Sequence, residues 1–90
     1  MARRRQPPKD VPSHEQLVAE FAEVEARLRQ MLATAADNED AKTAIVFRLE
    51  MLERVRHLLD RPSDSDKFFL REVVILGRFA CEVIPRKHGL

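Results

Sequence analysis

Residues 67–84 read KFFLREVVILGRFACEVI, and the reading of this stretch decides the fold. At ~100° per residue, Lys67, Arg71, Arg78 and Glu82 share one narrow arc, while nearly all the rest of the wheel is apolar. A helix apolar over most of its circumference is a buried helix. Two seams of four-three spacing lie side by side on it. One is Phe69, Val73, Leu76, Ala80 and Val83; the other is Leu70, Val74, Gly77, Cys81 and Ile84. The β-branched run Val73-Val74-Ile75 would also suit a strand. A lone strand cannot build a sheet in a chain otherwise helical, so a helix over 64–84 is expected, ending before Pro85.

Upstream, residues 61–66 (RPSDSD) break the pattern, and Ser63 is a candidate N-cap. Before it, Ala41, Ala44, Ile45, Leu49, Leu52, Val55 and Leu59 make a wide apolar face for a helix over 40–60. The mixed charges of Glu50, Glu53, Arg54, Arg56 and His57 read as its solvated side. Asp37-Asn38-Glu39-Asp40 reads as the loop of an αα-hairpin. It holds neither Gly nor Pro, and one heptad phase runs on through Ile45 and Leu49, so a single long helix is the competing arrangement. The first helix, 13–36, opens on the capping box Ser13-x-x-Gln16. Its apolar residues Leu17, Phe21, Val24, Leu28, Met31 and Ala35 form a narrow seam.

The expected fold class is therefore all-α: a three-helix bundle, an αα-hairpin plus a highly apolar third helix, completed by dimerisation. Residues 1–12, with Arg3, Arg4, Arg5 and Lys9 among three prolines, are expected to be a flexible basic arm, 13–84 the bundle, and 85–90 a short basic tail. Ninety residues make one domain with a marginal core, which a second copy would help to close. The arginines near the start have no apolar stretch after them, so no secretory signal is expected. No apolar run approaches the ~20 residues of a membrane span, and a lone cysteine gives no sign of an oxidising compartment. Cytoplasmic location without membrane partners follows as the expectation.

Chemistry is thinly represented. His14, His57 and His88 are dispersed, and Glu53 with His57 is at best half a metal site. The glutamates of the first helix lack a Glu-x-x-His companion and suit the macrodipole instead. Cys81 has Arg78 one turn away but neither a resolving cysteine nor a histidine nearby. There is no Gly-rich phosphate loop, Gly77 and Gly89 being the only glycines. No cofactor, metal or catalytic residue is expected.

Arg48 and Glu72 fall within apolar arcs of the second and third helices, so a buried ion pair between them is expected. The alternative is a small polar pocket for an anionic ligand. Leu70, Val74, Gly77, Cys81 and Ile84 are assigned to the dimer or partner interface, with Gly77 permitting close helix approach. The leading function is a non-catalytic protein–protein interaction module, an adaptor, regulator or assembly component that self-associates through its third helix. The second reading is a small nucleic-acid-binding regulator. Its phosphate contacts would be Arg3, Arg4 and Arg5 of the arm and the stripe Lys67, Arg71 and Arg78.

Overall fold

A computed structural model describes residues 11–90 and shows three helices packed together, with no strand among them. Helix α1 spans His14–Ala35, α2 Glu39–Val55 and α3 Asp64–His88; a 3₁₀ turn, Arg56–Leu59, closes the end of α2. The hairpin is thus formed, and the single long helix is not. The basic arm lies almost wholly outside the described residues.

Each helix begins where a side chain can take over an orphan amide. Ser13 Oγ accepts from Gln16 N at 3.3 Å. Only half the box forms there, because the Gln16 amide donates to Glu20 Oε2 at 3.2 Å. At Ser63 both halves form: Asp66 N donates to Ser63 Oγ and Ser63 N to Asp66 Oδ2, each at 3.1 Å. Asn38 caps α2, accepting from Ala41 N at 3.0 Å. The turn between α1 and α2 needs one residue at positive φ, and with no glycine available Ala36 takes it, at φ 50°.

The chain runs up, down and up. The start of α1 is tied to the end of the 3₁₀ turn, His14 Nε2 lying 2.6 Å from Leu59 O. At the opposite end, Asn38 Nδ2 donates to His88 O at 3.0 Å, joining the hairpin turn to the last turn of α3. Helices α1 and α3 are therefore parallel neighbours, with α2 antiparallel to both.

The core lies along the common axis. Leu17, Phe21, Val24 and Leu28 of α1, Ala41, Ile45 and Leu52 of α2, and Leu70, Val74, Ala80, Cys81 and Ile84 of α3 are all buried, joined by Ala35 at the top. No charged or polar side chain among the described residues is buried.

Pro85 does not end α3. The helix continues through Arg86, Lys87 and His88 to Gly89, which adopts the left-handed conformation at φ 69°. Proline removes one donor from the interior. Near a C-terminus that loss is offset: Gly89 N and Leu90 N both donate to Pro85 O, and three basic side chains face the negative end of the macrodipole. The expected basic tail is thus largely the last turn of a helix.

Candidate interaction surface

The girth of α3 is wider than its two neighbours can cover. Its inner seam packs into the core, and the apolar arc then continues around the side facing α2. Leu76 and Phe79 are exposed there, Phe79 to 63%, and Val73 and Val83 are half-buried. Across from them α2 contributes Phe47, exposed to 55%, and Met51. Two adjoining depressions follow the α2–α3 boundary. One is a narrow slot between Met51, Val73 and Leu76, floored by Leu28 and Gly77. The other is a groove of about 220 Å³ between Phe47, Phe79, Ala80 and Val83.

Arg48 borders both depressions. Its guanidinium carbon lies 5.8 Å from the centroid of the Phe47 ring, within cation–π range. Glu72 lies on the same side of α3, exposed, one turn from Phe69 and Leu76. The expected buried pair does not form. Arg48 is half-buried and Glu72 exposed, and none of the ion pairs among the described residues includes either. The reason is that the apolar arcs of α2 and α3 extend beyond the buried strip, so a charge inside an arc can still face water.

The proposed interface seam is also corrected. Leu70, Val74, Gly77, Cys81 and Ile84 belong to the bundle's own core, each buried. Gly77 does permit a close approach, but the approaching helix is α1: a Cβ at this position would lie 2.6 Å from Val24 Cγ1. The seam left to a partner is the neighbouring one, around Leu76 and Phe79, together with the flank of α2.

The basic stripe lies on the other side of α3, towards α1. Arg78 Nη2 stands 3.7 Å from Glu20 Oε2 and 3.5 Å from Glu23 Oε1. Arg71 and Arg78 line a cleft of about 270 Å³ with Gln16 and Glu20, so the positive charge here is interleaved with carboxylates of α1. Arg3, Arg4 and Arg5 lie outside the described residues.

Elsewhere the polar groups serve the fold. Burial alone would raise the Glu25 carboxyl, but hydrogen bonds from Arg56 and Arg29 outweigh it and hold it below its ordinary value. The same bond, donated by Arg56 and accepted by Glu25, raises Arg56, whose guanidinium also sits 5.5 Å from the Phe21 ring centroid. Burial pushes the Cys81 thiol up, with Arg27 opposing only in part. That is the opposite of an activated nucleophile. No helix among the described residues is long and apolar enough to cross a membrane, and no three His, Cys, Asp or Glu side chains are grouped to hold a metal.

Compared with known families, characterised proteins and solved structures, the chain finds no significant match. The surface has to be read from its own chemistry.

Proposed function

We propose that this chain is a non-catalytic helical interaction module that self-associates and engages a protein partner through the α2–α3 face. The observation that supports it most directly is the exposure of Phe47, Leu76 and Phe79 side by side, two of them aromatic. Soluble monomers rarely leave such a patch bare. Its composition, aromatic and Met-containing with one arginine, is the kind enriched where proteins meet. The slot beside it has Arg48 as its one charged side chain, and the groove adds Lys87 and His88 at its end; both are open and otherwise apolar, which suits docking of a helix better than enclosure of a substrate.

The nucleic-acid reading has less behind it. Of its stripe, Arg78 already faces two glutamates, and a phosphate would have to displace them.

Sedimentation equilibrium of the whole chain tests the proposal. A mass rising with concentration towards twice the monomer, and returned to the monomer by Phe79→Glu with the helical content unchanged, is the expected result. Wild-type chain that stays monomeric at ~50 μM, with steep salt-dependent retention on a phosphate matrix, would favour the nucleic-acid reading instead.

A further inference from the structure

We infer that the occupant of the α2–α3 face is a second copy of this chain, crossed antiparallel about a two-fold axis so that Arg48 of each copy meets Glu72 of the other. The inference rests on the self-association proposed above and adds its register and its recognition chemistry. Two charges of opposite sign stand on one apolar surface, and neither takes part in an ion pair among the described residues. A surface that carries both halves of a pair is complementary to itself, and a two-fold axis is the operation that brings both pairs together at once.

The register follows from the helix. With the axis passing near Leu76, the two copies of α3 run past each other in opposite directions. Glu72 then comes opposite Ala80 of the second copy, and Phe69 opposite Val83. Ala80 lines the same groove that Arg48 borders, so the carboxylate arrives at the guanidinium's edge of the groove. Phe47 and Phe79 of both copies surround the pair and exclude water from it, which strengthens an ion pair relative to one on an open surface. A foreign partner would need to bring its own carboxylate; the second copy already has it.

Charge reversal distinguishes this arrangement from generic apolar association. Arg48→Glu sets two carboxylates against each other twice in a homodimer, and Glu72→Arg does the same with two cations. Each single variant should weaken the dimer at least ~10-fold. Equimolar mixing of the two variants should restore it, because the mixed dimer contains two attractive pairs. Arg48→Glu/Glu72→Arg in one chain should also recover it. Sedimentation equilibrium reads all four samples, and circular dichroism with urea midpoints checks that each variant is folded. Should a reversal disturb folding, Arg48→Gln and Glu72→Gln provide the milder series: each weakens the dimer, and mixing rescues it in part, because the mixed dimer regains one of the two Arg48–Glu72 pairs. A wild-type dimer that tolerates both single reversals would overturn the pairing and leave self-association standing. A wild-type monomer at ~50 μM would overturn both.

Discussion

Gly77 of α3 and Val24 of α1 meet with no room for another atom: a Cβ on the glycine would stand 2.6 Å from Val24 Cγ1. Val24 is wholly buried and β-branched, so its methyl has no free rotamer to retreat to. This single approach sets how closely the two parallel helices lie.

Gly77→Ala therefore places two effects in opposition. Alanine gains about 1 kcal/mol of helix propensity, whereas overpacking a closed core costs about 1–3 kcal/mol. The expected net is a loss of up to roughly 2 kcal/mol, read from urea denaturation. Adding Val24→Ala should relieve the clash, so the double variant loses less than the sum of the single losses. Simple additivity would mean that the approach is not tight.

The two apolar seams of α3 should respond oppositely to charge. Val74→Glu buries a carboxylate in the core, where Val74 is 1% exposed, and is expected to abolish cooperative folding. Phe79→Glu alters a side chain exposed on the single chain and, at a concentration low enough to keep the chain monomeric, should change its stability by no more than about 0.5 kcal/mol. Equal stability losses at both positions would contradict the placement of the seams.

Glu25 should give the bundle an acid-sensitive component. Its carboxyl titrates below its ordinary value in the folded state, with burial opposing and the Arg56 and Arg29 bonds prevailing. The stabilisation is thus complete above the unfolded-state value, ~4.3 for a glutamate, and is lost as pH falls through the lower folded value. Because Arg56 is 40% exposed, solvent screening keeps the contribution at or below about 1 kcal/mol. Wild type should exceed Glu25→Gln in urea stability at pH ~7, and the difference should close as pH falls through the lowered folded-state value. A difference independent of pH would locate the effect in packing rather than charge.

Asn38 serves two helix ends with one side chain. Asn38→Ala should cost about 1–2 kcal/mol, the upper range for an N-cap, since it also releases His88 O. Asn38→Asp keeps the acceptor for Ala41 N and removes the donor to His88. Amide exchange should then stay slow at the start of α2 and quicken in the last turn of α3. Unchanged protection at both ends would show that the tie contributes nothing.

Much of this was legible from spacing. The α1 seam, the break at 37–40 and the cap at Ser63 follow from local rules that tertiary packing had no cause to overturn. The choice between the seams of α3 was not legible. They are one residue apart and equally apolar, and what selects the one containing Gly77 is the shape of Val24 on another helix. Arg48 and Glu72 were correctly found within apolar arcs, but an arc records chemistry and not coverage. Pro85 was misplaced because the rule against proline weighs one lost hydrogen bond, without the cap and basic turn beyond it.

The parallel course of α1 and α3 bears on how the chain reaches this structure. Short connections let α1 find α2, and α2 find α3, through contacts nearby in sequence, which form early and fast. The Val24–Gly77 approach instead closes a loop that spans the whole of α2, and loop closure must be met in entropy before the contact returns anything. Substitutions at this approach should accordingly slow folding if it belongs to the nucleus, or speed unfolding if it zips up last. The glycine that sets the helix spacing is thus also the position from which the order of assembly can be timed.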